Sequence, residues 1–174
     1  MRVVAGELRG RRIAAPKDGD VRPTADRVRE ALFSILGEIG GMRVLDLYAG
    51  TGALAIEAIS RGAESAVLVD SRPAIARRNV EALAIEGRGT VVRADVLRFL
   101  KKERDRFDLI FCDPPYRLAD RLEPDLRQLI PDRLEKGGRV IVESDVRRPL
   151  DLGMPLQVER RYGDTLIRVH GALA

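Results

Sequence analysis

The apolar positions change period along the chain, and the changes mark out its elements. Val28, Ala31, Leu32, Ile35 and Leu36 recur at helical spacing, with Thr24 suited to the N-cap, Asp26 in the first turn and Gly37 as the stop. From residue 43 onward strands and helices alternate. The pattern predicts strands at 43–47, 66–70, 90–94, 107–112 and 139–143, with helices at 53–61, from Pro73 to near Gly87, and at 96–102. A longer helical stretch covers 118–134, which Pro124 and Pro131 could break. At the end, 157–162 and 165–170 flank Gly163-Asp164 and read as an antiparallel hairpin. A parallel βαβ series closed by an antiparallel pair predicts an α/β fold with a doubly wound sheet, whose ligands bind at the carboxyl ends of the strands.

The first twenty residues stand outside that rhythm. Residues 2–5 and 11–15 read as two short strands about a turn at 6–10, which gives an N-terminal β-hairpin extension over 1–20 and a main domain over 21–174. The hairpin is expected to lie away from the strand ends. The chain has 31 Lys and Arg against 27 Asp and Glu, and much of the excess falls in the first thirty residues, where Arg9, Arg11, Arg12, Arg22 and Arg27 are among eight basic residues. This is either a solvated basic face or a nucleic-acid footprint. A single cysteine, Cys112, excludes an internal disulfide framework and fits a reducing cytoplasm, and no apolar run is long enough to span a membrane. Cys112 is expected to be a buried core residue, and His170 is assigned no role.

The segment Asp46-Leu47-Tyr48-Ala49-Gly50-Thr51-Gly52-Ala53-Leu54 lies between a strand and a helix, where glycines let backbone approach a ligand closely. Gly50, Gly52 and Ala55 also satisfy a dinucleotide fingerprint, with Asp70 about 20 residues on. The glycines therefore do not choose between a nicotinamide cofactor and S-adenosylmethionine. Asp46 favours the second, because an acid just before the glycines suits a cationic amino-acid moiety and repels a pyrophosphate. On this reading Asp46, Tyr48, Gly50 and Gly52 form the cofactor loop and Asp70 accepts the ribose hydroxyls. Asp95 accepts the adenine amine or caps the helix after it, or does both, and the Val96 N–H donates to the ring.

Asp113-Pro114-Pro115-Tyr116 follows the apolar strand at 107–112. Two prolines fix φ and hold a rigid turn, so that the Asp113 carboxylate and the Pro114 carbonyl can each take one N–H of an aromatic amine while Tyr116 stacks on the base. An exocyclic amine is a poor nucleophile until such acceptors localise its lone pair, and no metal is needed for that. Stacking needs the ring of Tyr116 and not its hydroxyl. A plain Pro-rich turn ending a core strand is the other reading.

Taken in order, Gly10-Arg11-Arg12, Arg22 to Glu30, Asp46 to Leu54, Ser60-Arg61-Gly62-Ala63 and Asp113 to Tyr116 resemble the bacterial 16S ribosomal RNA guanine-N2 methyltransferases over nearly the whole length. Amino-methyltransferases acting on DNA adenine share the cofactor loop and a similar Pro-Pro turn, but not the arginine-rich segment. The resemblance implies a Rossmann-like class I methyltransferase sheet with an antiparallel last strand, and S-adenosylmethionine as cofactor. It implies a 16S rRNA guanine as substrate, free or within an assembling small subunit, and a monomeric enzyme. It also implies that the opening hairpin grips RNA through Arg9, Arg11 and Arg12, and that the segment from Arg22 to Glu30, with Arg22 and Arg27, presents further cations.

Overall fold

The computed structural model describes residues 1–15 and 26–171. Helix α1 (Asp26–Leu36) precedes strand β1 (Arg43–Leu47), and then come α2 (Ala53–Ser60), β2 (Ser65–Asp70), α3 (Ala74–Ala82), β3 (Gly89–Arg93), α4 (Val96–Lys102) and β4 (Phe107–Cys112). Helix α5 (Ala119–Leu129) leads through a 3-10 turn at Pro131–Arg133 to β5 (Leu134–Asp145), β6 (Leu156–Tyr162) and β7 (Thr165–Gly171). The strands form one seven-stranded sheet in the order β3-β2-β1-β4-β5-β7-β6. The first five in that order are parallel, and β7 runs antiparallel between β5 and β6. Strand order reverses between β1 and β4, which opens a crevice at their carboxyl ends.

Side-chain alternation divides the core into two faces. Val44, Leu109, Phe111 and Ile141 join one cluster with apolar residues of α1, α2 and α3, while Leu45, Leu47, Ile110, Cys112, Val140 and Val142 join another with α4 and α5. Cys112 is thus a buried core thiol, and burial pushes its pKa far up.

The opening segment pairs with itself: Val3 N–H donates to Arg11 O at 3.0 Å, Gly10 N–H to Val3 O at 2.9 Å and Ile13 N–H to Met1 O at 3.0 Å. Its apolar residues Val3, Leu8 and Ile13 are buried in the cluster that α1 and α2 share. The pair does not lie clear of the strand ends. Asn79 of α3 donates both to Ala14 O, at 3.1 Å, and to Thr51 O of the loop after β1, at 2.9 Å, so the second arm is tied to the ligand loop.

Three boundaries differ from the periodic reading, each for a physical reason. Helix α3 stops at Ala82 rather than near Gly87, because Ala84 turns left-handed at φ 55 and Ile85 N–H closes back on Val80 O. That is a Schellman stop with alanine where glycine is usual, held by burial of Ile85. Strand β5 begins at Leu134, well before 139, because it carries a bulge: its pairing with β4 jumps from Phe107↔Leu134 to Leu109↔Arg139. Pro124 lies inside α5 without ending it, and the break falls at Pro131. The expected N-cap Thr24 lies outside the described residues.

Candidate active site

The loop after β1 is a tight reversal. Tyr48, Gly50 and Gly52 have φ of 60, 55 and 78, so three residues in five are left-handed. A Cβ at Gly52 would come within 2.7 Å of the Leu68 side chain, so this loop runs flat against β2 because position 52 has no side chain. Asp70, at the end of β2, braces the loop from the side: its carboxylate accepts Gly50 N–H at 2.9 Å and Arg72 N–H at 2.7 Å. Its backbone carbonyl accepts Ala94 N–H at 3.1 Å, which ties the ends of β2 and β3 together. Asp95 is the N-cap of α4, accepting Arg98 N–H at 2.9 Å, so the capping role is made. Val96 follows as the first residue of that helix. The Tyr48 hydroxyl is buried with no hydrogen-bond partner among the described residues, and burial raises its pKa.

Asp46 sits at the floor of the crevice. It is 2% exposed and accepts Ala55 N–H of α2 at 3.2 Å. Burial pushes its pKa up to about 7; the bond from Ala55 opposes that shift and the nearby Asp70 charge adds to it.

At the end of β4, Cys112 pairs with Val142 of β5, and both face the α4–α5 side. Alternation therefore turns the next residue on each strand, Asp113 and Glu143, to the opposite face, where Asp46 also points. Adjacent strands lie about 4.8 Å apart. The consequence is electrostatic: Asp113 is held well above the ordinary carboxylate range, first by burial, then by Glu143 and Asp46. Pro114 is buried, and the rigid turn brings Tyr116 across to β5 and β7. The Tyr116 hydroxyl lies 3.5 Å from Glu143 Oε1 and 3.5 Å from Thr165 Oγ1. Its hydroxyl thus meets protein groups of its own, which a purely stacking ring does not require.

Asp46, Asp113 and Tyr116 are gathered at one end of the sheet, beside the glycine loop and Asp70. Glu143 belongs with them and the periodic reading missed it; its signal was an acid closing the apolar run Val140-Ile141-Val142. Of the arginines, Arg9, Arg12 and Arg27 are exposed, and exposed Arg11 donates to Ala82 O at 3.2 Å. Arg22 lies outside the described residues. Arg29 is a correction: it presents no cation to solvent but is fully buried, donating to Arg2 O at 2.6 Å and lying 3.6 Å from Glu57. Exposed Arg147, Arg160 and Arg161 lie near the site end of β5 and β6, further cations that the front-loaded charge pattern did not suggest.

Residues 1–170 match the family described as conserved hypothetical protein 95. The chain is 35% identical over 155 residues to the ribosomal RNA small subunit methyltransferase D of Escherichia coli K12, covering 86% of this chain and 77% of that one. Among solved structures, a hypothetical protein of Thermus thermophilus superposes with a TM-score of 0.84 at 29% identity, over 99% of both chains. The SMU.776 protein, solved in complex with SAH, superposes with a TM-score of 0.69 at 19% identity, over 86% of this chain and 50% of that one, and at that identity it speaks to the fold alone.

Proposed function

The chain belongs to the conserved hypothetical protein 95 family, the family of the small-subunit ribosomal RNA methyltransferases, and on that premise we propose that it methylates the N2 amine of a guanine in 16S ribosomal RNA, using S-adenosylmethionine. The observation that carries the reading is the turn from Asp113 to Tyr116. It stands at the carboxyl end of β4, across the crevice from the glycine loop, with the acids Glu143 and Asp46 near its carboxyl group.

The residues of the crevice fit S-adenosylmethionine. The bare backbone at Gly52 leaves room for close approach, and the buried Asp46 suits an ammonium group while opposing a pyrophosphate. Asp70 retains lone pairs for ribose hydroxyls beyond the two N–H groups it already accepts. Asp95 and the Val96 N–H would meet the adenine edge, and Tyr48 adds a buried hydroxyl beside them. When bound, the cofactor supplies a methyl group on a sulfonium, a strong electrophile with a neutral leaving group.

The rest falls to the chain. Asp113 and the Pro114 carbonyl accept the two amine protons and draw the nitrogen toward a localised lone pair, and Tyr116 holds the base by stacking. Asp113, or water, would take the surplus proton of the amine once it has received the methyl group. Arg9, Arg11, Arg12, Arg22 and Arg27 at the front, together with Arg147, Arg160 and Arg161 near the site end of β5 and β6, would contact phosphates and position the RNA. The 1–20 segment acts as the RNA-gripping part and 21–174 as the catalytic domain. Transfer of tritiated methyl groups to undermodified total RNA, followed by nucleoside analysis, tests the reading. Label in N2-methylguanosine of small-subunit RNA is expected, and label in N6-methyladenosine, or none in RNA, contradicts it.

A further inference from the structure

The crevice holds a second acid that the amine chemistry just described does not use. Glu143 lies on β5, in the row next to the position that follows Cys112 on β4, and it is 9% exposed. Tyr116 reaches the same place, with its hydroxyl 3.5 Å from Glu143 Oε1. A base lying on the Tyr116 ring therefore has one edge toward Glu143 while its amine is held at Asp113. Enzymes that act on a base read it in this way, by stacking together with contacts to its pairing edge.

Two neighbouring carboxylates make a wall of acceptors, and the four RNA bases answer it differently. Guanine carries two adjacent donors on its pairing edge, the N1–H and the N2 amine. Adenine and cytosine place a ring nitrogen with a lone pair next to the amine, and uracil has no amine. Only guanine meets an acceptor pair with a donor at both positions. For adenine or cytosine, the second carboxylate faces a lone pair, which repels.

We infer that Glu143 selects guanine: its carboxylate accepts the N1–H of the target base while Asp113 and the Pro114 carbonyl take the protons of the N2 amine. This rests on the amino-methylation reading given above. It also gives a reason for an acid to stand beside Asp113, since the donors of the correct base meet both carboxylates and the wrong base does not. The upward push that Glu143 exerts on Asp113 is the signature of that proximity.

The test uses small-subunit RNA assembled by ligation, with guanosine, 2-aminopurine riboside or inosine at the nucleotide that the wild-type protein labels. 2-Aminopurine keeps the amine but presents a lone pair at N1, and inosine keeps the N1–H but lacks the amine. Wild-type protein should prefer guanosine over 2-aminopurine by roughly 10- to 100-fold in kcat/KM. Glu143→Gln, whose amide can donate to that lone pair, should narrow the preference to within about threefold. Unchanged cofactor affinity would establish that the variant is folded. A wild-type ratio near one overturns the assignment whatever the variant does, and so does an unchanged ratio in folded Glu143→Gln. In both cases inert inosine RNA leaves the amine reading standing. Methylation of inosine RNA overturns the amine reading itself.

Discussion

Glu57 and Asp113 are both acids on the α1–α2 face of the sheet, Glu57 fully buried and Asp113 half-buried, and what surrounds them is opposite in character. Glu57 accepts Val4 N–H at 2.8 Å and Ala5 N–H at 2.9 Å, pairs with Arg61 at 2.9 Å, and has Arg29 at 3.6 Å. Ser60, one turn on, accepts Leu8 N–H at 2.9 Å and donates to Ala5 O at 2.5 Å, and Arg61 lies over the Phe33 ring at 4.7 Å. A Cβ at Gly6 would strike the Ser60 carbonyl, so the chain passes directly against α2 there. Every charge in this cluster has an opposite charge or a donor beside it, and the cluster fastens the opening segment and α1 to the body. Beside Asp113 stand two further acids, Glu143 and Asp46, which push its pKa up. A cluster of opposite charges marks a place that holds the molecule together, and acids gathered at the ends of strands mark a place suited to something that arrives with donors.

The contrast can be broken most forcefully at Glu57. Glu57→Ala takes the carboxylate away from Arg29 and Arg61 and leaves two backbone N–H groups without their acceptor, and should cost about 3 to 5 kcal/mol of stability. Urea unfolding measures this, and a loss below about 1 kcal/mol would mean that the cluster does not hold the opening segment.

Asp46→Asn should act in the other direction. Because the folded protein holds Asp46 up to about 7, the unfolded chain ionises first as pH rises. The wild-type protein therefore loses stability from about pH 4 to about pH 7, and the loss levels off above. The asparagine variant lacks that slope and should be more stable above pH 7 by on the order of 4 kcal/mol, while binding the cofactor less tightly. Parallel unfolding curves for the two proteins across this range would remove Asp46 from the account.

A smaller effect is expected at Asp70. Its carboxylate both braces the Gly50 loop and faces the ribose position, so Asp70→Ala should weaken S-adenosylmethionine by about 1 to 2 kcal/mol, read by calorimetry. Undiminished binding would leave Asp70 as a loop brace only.

Much of this arrangement is legible in the sequence, and the exceptions have physical causes. The alternation of strands and helices follows from apolar period alone, and Asp46, Gly50, Asp70 and Asp113 stand at strand ends where a doubly wound sheet gathers ligand groups. Helix α3 could not be ended correctly because its stop uses Ala84, and alanine gives no turn signal. Arg29 reads as one more cation in an arginine-rich segment, since its partners Arg2 and Glu57 are 27 and 28 residues away in either direction. Glu143 reads as the polar end of a strand, and only the register of β5 on β4 sets it beside Asp113. What the sequence hid at Arg29 and Glu143 was a pairing between distant positions, which no local pattern encodes.

The central claim is that the acid cluster at the end of β4 serves chemistry and not stability, and single-turnover methylation of unmodified small-subunit RNA by Asp113→Ala at saturating cofactor tests it most directly. The account predicts a rate lower by about 10² to 10³ in a protein that folds and binds the cofactor as before, with Asp113→Asn falling between because an amide oxygen still accepts. Methylation by Asp113→Ala at the wild-type rate would contradict it, and would reduce the turn from Asp113 to Tyr116 to the end of a core strand.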